Sequence, residues 1–303
     1  CNPCPVGTYK DALGVGECIL CDAGTANNNV GSTSPAACVQ CGVNTWSSDS
    51  AAVCMDCTPN SVSPVRSTSI GDCLCNPGFI GFGGTDVKTC APCAVGSYSH
   101  MTGMGECTLC DAGMVSGNTG SINSDVCTRC GENTWSSQGA DVCTDCTLNA
   151  VSPVQSTSDD ACLCSPGFHG AISGMCTPCA VGTYKAELGT GTCTSCAAGT
   201  VVNQLGATGC IPCGVNTWSA AGMQTCIDCI AESESSDQST SVDSCLCRAG
   251  FNGTGRSTCM SCPVGTYKGD RGVGVCKPCD AGTVNDQSGA SICTPCGVNT
   301  WSA

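Results

Sequence analysis

Cysteine is the residue type in this chain whose number and spacing could do chemistry. Thirty-six of the 303 residues are cysteine, and they recur as four Cys-x-x-Cys doublets followed by one Cys-x-Cys. The first set begins at Cys1, and the same order restarts at Cys90, Cys176 and Cys259. Thiols at these spacings form structural disulfides, bind zinc or carry out thiol–disulfide exchange. The composition of the rest of the chain distinguishes among these three roles of the thiols.

The composition favours disulfides. Zinc would require about nine four-thiolate sites in tandem. Zinc arrays of that length usually bind nucleic acid and are basic, whereas this chain has 10 Lys and Arg against 24 Asp and Glu, a net charge of −14. That charge repels a phosphate backbone and argues against nucleic acid as a partner. Thioredoxin-type exchange needs a βαβ context, and here Gly- and Pro-rich segments flank the doublets. We therefore expect no metal site and no cofactor.

The hydrophobic content is too low for a conventional core. Leu, Ile, Val and Phe together make up about 15% of the chain, a level normally found in disordered sequences. Ordering the backbone costs about 1–2 kcal/mol per residue, and a disulfide that closes a loop of about 15 residues offsets about 3 kcal/mol. Disulfides in this number need an oxidising compartment. The protein is therefore expected to be extracellular, either secreted or on the surface of a cell or flagellum.

The repeat narrows the ways in which the cysteines can pair. Each complete set has five doublets, so joining whole doublets two by two would make alternate sets differ, although their sequences are nearly copies. The simplest scheme common to all sets links the second cysteine of a doublet to the first of the next. Mixed schemes of the epidermal-growth-factor type remain open, since sequence alone does not determine connectivity. The serial scheme predicts Cys4–Cys18, Cys21–Cys38, Cys41–Cys54, Cys57–Cys73 and Cys75–Cys90, with later sets repeating it.

The segments between doublets have the pattern of short β-hairpins. The first alternates as Val-Gly-Thr-Tyr, and Gly14 and Gly16 then supply a turn before Cys18. The fold class predicted is a set of small disulfide-rich repeats: an elongated rod of tandem short β-hairpin loops, about 170 Å long at about 10 Å per loop, with little regular secondary structure and no helix. The predicted domains are repeat 1 (1–89), repeat 2 (90–175), repeat 3 (176–258) and a partial repeat 4 (259–303).

Large aromatic residues occupy three equivalent places in the repeats. Two interpretations apply: rings that pack on a neighbouring disulfide or turn, or exposed rings that stack on sugars or partner chains. Packing is favoured, because little else in the loops could be buried. The residues are Tyr9, Tyr98, Tyr184 and Tyr267 in the first loops, Trp46, Trp135, Trp218 and Trp301 in the third loops, and Phe79, Phe168 and Phe251 in the fifth loops.

These motifs resemble a known family. The pattern CxxCPVGTY…GxGxCxxCxAGT…CLCNPGFxG is similar to the cysteine-rich repeats called ephrin-receptor-like. The resemblance extends over the whole chain and implies an extracellular repeat array. Long uniform arrays of this type are similar to protist and algal surface proteins, including the shaft proteins of flagellar mastigonemes. The resemblance is specific for the repeat and does not extend to a ligand-binding domain, a membrane span or a kinase.

No catalytic arrangement is evident, and the chain is predicted not to be an enzyme. The histidines, His100 and His169, lie in non-equivalent loops and lack an identifiable nucleophilic partner. Two kinds of modification fit the sequence, with unmodified turns as the alternative. Asn252 begins an Asn-Gly-Thr N-glycosylation sequon. The Ser-Pro pairs Ser63-Pro64 and Ser152-Pro153 are candidates for O-linked or hydroxyproline glycans.

Two functions remain in competition. The favoured one is an extracellular structural protein, a disulfide-laddered rod that builds a fibre, flagellar appendage or cell-surface coat, because the repeats differ mainly in loop length and polar tip residues. The alternative is a ligand-recognition or adhesion ectodomain that uses the repeats as a spacer or binding face. Expected partners are further copies, other fibre or coat proteins, and glycans. Cys1 and Cys296 have no partner in the serial scheme, so the segment is also expected to continue in the same register at both ends.

Overall fold

The computed structural model describes residues 2–82, 89–171 and 174–297. Among these residues the chain forms two-stranded antiparallel hairpins, numbered 1 to 17 along the chain. The strand pairs are, in order, Thr8–Tyr9 with Ile19–Leu20, Thr25–Ala26 with Val39–Gln40, Thr45–Trp46 with Met55–Asp56, Ser61–Val62 with Leu74–Cys75, Phe79–Phe82 with Thr89–Pro92, Ser97–Tyr98 with Thr108–Leu109, Met114–Val115 with Thr128–Arg129, Thr134–Trp135 with Thr144–Asp145, Ala150–Val151 with Leu163–Cys164, Phe168–His169 with Thr177–Pro178, Thr183–Tyr184 with Thr194–Ser195, Thr200–Val201 with Ile211–Pro212, Thr217–Trp218 with Ile227–Asp228, Ser233–Glu234 with Leu246–Cys247, Phe251–Gly253 with Cys259–Ser261, Thr266–Tyr267 with Lys277–Pro278, and Thr283–Val284 with Thr294–Pro295.

The predicted fold class is confirmed as an array of small disulfide-rich hairpins. In the described ranges there is no α-helix; the helical elements there are five three-residue 3₁₀ turns, each just before a closing cysteine. They occur in longer loops, such as those closed by Cys38 and Cys73, where the paired cysteines are 17 and 16 residues apart. In the equivalent second loop closed by Cys210 the separation falls to 14 residues and the turn is absent. The turns are Pro35–Ala37, Ile70–Asp72, Ser124–Val126, Asp159–Ala161 and Val242–Ser244.

The disulfides follow the order that the serial scheme gives. Each of the five pairs written for the first repeat is present, and the later repeats continue them. Cys146 and Cys162 are also disulfide-bonded, and Cys296 is the one free thiol in the described part of the chain. The second half of the chain has the pairs Cys164–Cys176, Cys179–Cys193, Cys196–Cys210, Cys213–Cys226, Cys229–Cys245, Cys247–Cys259, Cys262–Cys276 and Cys279–Cys293.

The hairpins fall into two compact units. One comprises residues 1–146 and 152–161, and the other comprises residues 147–151 and 162–303. In both units the buried interior consists chiefly of half-cystines, small polar residues and backbone. In the second unit, for example, Cys196, Val202 and Ala207 form a buried cluster against which Tyr184 and Cys210 pack. Covalent cross-links therefore stand where a larger protein would place Leu, Ile and Phe.

Candidate functional site

The junction between consecutive hairpins is the recurring site of this molecule. Each hairpin begins with the sequence Cys-x-x-Gly or Cys-x-x-Asn, with Glu232 as the exception in hairpin 14. The third residue after the cysteine has a left-handed backbone, with φ of 76° at Gly7, 64° at Asn44 and 60° at Glu232. That conformation suits the third position of a type II turn, where Gly and Asn are preferred. In hairpin 2 the turn is closed by Thr25, whose amide and hydroxyl both donate to the Asp22 carbonyl.

Backbone hydrogen bonds join neighbouring hairpins. Between hairpins 1 and 2, Gly7 N–H donates to the Asn27 carbonyl (2.7 Å), Gly31 N–H to Cys4 (2.7 Å) and Cys21 N–H to Gly7 (2.9 Å). The same three bonds recur between hairpins 12 and 13, in the second unit. There Gly199 N–H donates to Ser219 (2.9 Å), Gly222 N–H to Cys196 (2.8 Å) and Cys213 N–H to Gly199 (2.9 Å). The junction is therefore built from main-chain groups, and its geometry depends little on side-chain identity.

Hairpins two apart also come into close contact. Gly96 in hairpin 6 has φ of 72°, and a Cβ placed on it would overlap the carbonyl oxygen of Gly139 in hairpin 8. In the second unit, the ring of Phe168 in hairpin 10 lies 3.7 Å from the position that a Cβ on Gly206 in hairpin 12 would take. Glycine is therefore required at Gly96 both for its left-handed backbone and for its lack of a side chain, whereas at Gly206 the left-handed backbone alone favours it.

The predicted aromatic residues lie at these junctions and are partly buried. All ten that fall within the described ranges have intermediate exposure; Trp301 lies outside those ranges. Tyr184 packs against the buried cluster of Cys196, Val202 and Ala207 in the next hairpin. The indole Nε1 of Trp46 is buried and has no hydrogen-bond partner among the described residues. These contacts support packing, while the exposed part of each ring leaves stacking on a partner as a prediction.

Two buried lysines were not singled out from the sequence. Lys185 and Lys268 follow the Gly-Thr-Tyr motif, and each is only 7% exposed. The Lys185 Nζ donates to the carbonyl oxygens of Cys164 (3.3 Å) and Glu187 (2.8 Å). Burial lowers the pKa of both ammonium groups, and the neighbouring carboxylates of Glu187 and Asp270 partly oppose that shift. Lys10 also follows Gly-Thr-Tyr but is only half-buried, so the motif marks the position of these lysines and not their burial.

The modification candidates differ in accessibility. Ser63 and Ser152 are 6% exposed, and their hydroxyls donate to the carbonyls of Thr45 (3.4 Å) and Thr134 (3.3 Å). The adjoining Pro64 and Pro153 are exposed, so the prolines are the accessible members of these pairs and their glycosylation stays a prediction.

The N-glycosylation candidate lies in a strand. Asn252 pairs with Met260 in hairpin 15 and is half-buried. Its Oδ1 atom is buried and has no hydrogen-bond partner in the described ranges. Thr254, the third residue of the sequon, is exposed. The modification at Asn252 also stays a prediction.

The histidines do not form a shared site. His100 is exposed in hairpin 6, with its ring centroid 6.5 Å from that of Tyr98. His169 lies in hairpin 10, where its Nε2 is 3.2 Å from the Thr177 hydroxyl. In the part of the chain that the structure describes, no group of three or more His, Cys, Asp or Glu side chains is arranged to hold a metal ion. The fold is a disulfide-rich repeat array, which is a non-catalytic kind of fold.

Exposed ion pairs connect the ends of hairpins 14 to 16. The Arg248 guanidinium lies 3.8 Å from the Glu232 carboxylate and 3.9 Å from that of Glu234, which in turn lies 3.9 Å from Arg271. Such exposed pairs contribute about 0–1 kcal/mol each. Within the described ranges there is also no helix with the length and hydrophobicity needed to cross a bilayer.

Comparison with known families places most of the chain in one of them. Four segments match the family model described as tyrosine-protein kinase ephrin type A/B receptor-like: residues 1–38, 81–127, 167–209 and 250–296. Together these segments cover more than half of the chain. Each begins in or near the fifth hairpin loop or the Gly-Thr-Tyr loop of a repeat, so the family match follows the cysteine register.

Two curated proteins are similar over a shorter range. The chain is 26% identical over 192 residues to the signal peptide, CUB and EGF-like domain-containing protein 2 of Mus musculus. It is 25% identical over 192 residues to the protein of the same description from Homo sapiens. In both cases the match covers 62% of this chain and 14% of the relative. The chain thus spans about one seventh of the length of the curated relatives that it matches.

Proposed function

The chain belongs to the tyrosine-protein kinase ephrin type A/B receptor-like family, and on that premise we propose that it is an extracellular structural protein. In this proposal the repeats form a disulfide-laddered rod that builds a fibre, a mastigoneme-like flagellar appendage or a cell-surface coat. The proposal starts from a cysteine-rich repeat array of an extracellular or cell-surface kind.

The observation that carries the proposal is the uniformity of the junction. The bond from a left-handed residue to the opening cysteine of the preceding hairpin recurs as Gly31 to Cys4, Gly120 to Cys93, Gly206 to Cys179 and Gly289 to Cys262, at 2.7–2.8 Å. Main-chain junctions of this kind let an array grow by adding copies without new side-chain chemistry. A shaft needs that property, whereas a ligand site needs particular residues at one place.

Solution scattering and electron microscopy test the structural role. A compact chain of this length has a radius of gyration of about 19 Å, whereas a rod of about 170 Å has a radius of about 49 Å. We expect the larger radius and filaments or a regular coat in images of native material. A radius below about 25 Å, or isolated compact particles in native preparations, would contradict the proposal.

A recognition ectodomain is the second candidate, and one groove favours it. A cavity of about 630 Å³ beside hairpin 11 is lined by Tyr184, Lys185, Leu188 and Leu163. The partly exposed ring of Tyr184 in this groove could stack on a sugar. A glycan array probed with the intact protein tests this role. Specific binding that is lost in Tyr184→Ala and retained in Tyr98→Ala, whose ring lies outside the groove, would support recognition over a purely structural role.

A further inference from the structure

The disulfides give the chain a second covalent path from end to end, which is shorter than the path along the backbone. Sixteen disulfides with described partners each join the opening and closing cysteines of one hairpin, with Cα–Cα distances of 5.5–5.8 Å. The bridged residues are 12 to 17 positions apart in the sequence. The covalent links between consecutive hairpins are only the short Cys-x-x-Cys or Cys-x-Cys segments.

When tension is applied to the two ends of the chain, two covalent paths can transmit it through each hairpin. At Cys4 it can pass around the loop or across the disulfide to Cys18. The loop would become taut only at about 49 Å, taking about 3.5 Å for each of its 14 steps, whereas the bridge spans 5.8 Å between Cα atoms. The bridge therefore becomes taut first and carries the load. The loop, which contains the turn and the first strand, stays slack, while the second strand, Ile19–Leu20, lies in the loaded segment after Cys18.

We propose that this chain acts as a tension-bearing tether of low extensibility, in which the disulfides carry the load and the hairpin loops are shielded from it. The load path alternates between one disulfide and one short segment within a doublet, such as Cys18–Cys21. The inference concerns single molecules, so it holds whether the chain builds a fibre or spaces a recognition surface.

The topology sets the limits of extension. Each hairpin contributes a bridge of 5.5–5.8 Å and a segment of up to about 11 Å, so seventeen hairpins reach about 270 Å in total. The same 303 residues with every disulfide reduced reach about 1,000 Å. The oxidised chain is thus expected to extend to about a quarter of the length of the reduced chain.

The load-bearing bonds are partly protected from solvent. The opening cysteines Cys21, Cys41 and Cys93 are at most 1% exposed, while the closing cysteines Cys38 and Cys54 are half-buried. In these bridges a soluble thiolate therefore reaches the closing cysteine more easily than the opening one, whereas in Cys164–Cys176 both cysteines are buried.

Single-molecule force spectroscopy on the full chain, held by its two ends, tests the load path. Without reductant we expect a contour length near 270 Å and no long unravelling steps. With dithiothreitol, its thiolate attacks one sulfur and expels the other as a thiolate, and its second thiol then closes to the cyclic disulfide and releases the first cysteine. Each exchange should lengthen the chain by about 35–55 Å, the slack of one loop.

A matched pair of insertions separates a shielded loop from a loaded one. Six Gly and Ser residues placed between Gly14 and Val15 enter an exposed loop tip with open space around it. The same six residues between Ile19 and Leu20 enter the segment on the load path. Peptide mapping first establishes that both variants keep the Cys4–Cys18 and Cys21–Cys38 pairs.

The two insertions have opposite expected results. The tip insertion should leave the oxidised contour length unchanged and lengthen one reductive step by about 20 Å. The segment insertion should lengthen the oxidised chain by about 20 Å, since contour length depends only on the covalent path. An oxidised contour that grows with the tip insertion, or long steps without reductant, would overturn the proposal.

Discussion

The amide of Gly206 donates a 2.8 Å hydrogen bond to the carbonyl oxygen of Cys179, the cysteine that opens the preceding hairpin. The sulfur of the same cysteine is bonded to Cys193. Cys179 therefore closes its own hairpin through its side chain and holds the next hairpin through its main chain. This double role recurs along both units, as between Gly31 and Cys4, and it couples the stability of each hairpin to that of its neighbour.

A methyl group at Gly96 should destabilise the first unit. Gly96→Ala places a Cβ against the Gly139 carbonyl and forces a left-handed backbone at φ of 72°, a strain of about 1–3 kcal/mol. Denaturant unfolding of the oxidised protein measures the effect. The control is Gly105→Ala in the same hairpin, where a Cβ meets nothing within 4 Å and the backbone is not left-handed. Equal stabilities for the two variants would contradict the close-contact model.

Reduction should unfold the chain, and chelation should leave it folded. Dithiothreitol removes the loop restraints, each of which contributes about 3 kcal/mol for a loop of about 15 residues, from a chain whose interior is chiefly half-cystine. Circular dichroism with and without reductant measures the loss of structure. A metal chelator under oxidising conditions is the control, because the described cysteines other than Cys296 are disulfide-bonded and not free to bind zinc. Unfolding by the chelator alone would restore the zinc interpretation.

We expect the free energy of unfolding to rise at alkaline pH because of the two buried lysines. Burial lowers the pKa of Lys185 and Lys268 below 10.5 in the folded chain. Between the lowered pKa and 10.5 the unfolded state binds more protons, so the free energy of unfolding should increase as pH rises through that window. Unfolding curves at several pH values measure it, in a background with both Cys1→Ser and Cys296→Ser, which removes the two cysteines that have no partner in the serial scheme and so suppresses disulfide exchange.

Variants isolate the lysine contribution. The double variant Lys185→Met and Lys268→Met should lose the alkaline increment, while Lys277→Met, at an exposed position, should keep it. Titration of the lysine ¹³Cε resonances should show two groups that lose their protons at lower pH than in the reduced, unfolded chain. If the free energy of unfolding still increases at alkaline pH in the double variant, groups other than these two lysines cause the increase.

The Asn252 sequon should carry an N-linked glycan when the chain is secreted from a eukaryotic cell. Thr254 is exposed, and the strand that holds Asn252 lies in a short hairpin closed by Cys247–Cys259. Mass spectrometry of the wild-type chain and of Asn252→Gln measures the modification, with a mass loss of one glycan expected in the variant. Thr254→Ser, which keeps the sequon, serves as the control. Identical masses for wild type and Asn252→Gln would refute the prediction.

The aromatic residues illustrate how far sequence reasoning extends. Equivalent positions could be recognised at Tyr9, Trp46 and Phe79 because the cysteine register aligns the repeats. Whether each ring packs or projects depends on hairpins that lie up to two further along the chain. The Phe168 ring, for example, meets the backbone around Gly206, a contact that no spacing within either loop encodes. Ser63 and Ser152 are similar, since their burial against Thr45 and Thr134 comes from the preceding hairpin.

The sequence by itself determined that the chain is held together by cross-links, that its units are short hairpins, and that its environment is oxidising. These conclusions follow from local spacing and composition, because a doublet such as Cys18–Cys21 leaves no room for other elements between neighbouring loops. Only the tertiary structure decided which groups meet across hairpins: the amide of Gly206 with Cys179, the backbone of Gly96 with Gly139, and the ammonium group of Lys185 with Cys164. Each of those contacts ends on a main-chain carbonyl group, which every residue carries, so the sequence can mark the glycine or the lysine but not the residue that it meets.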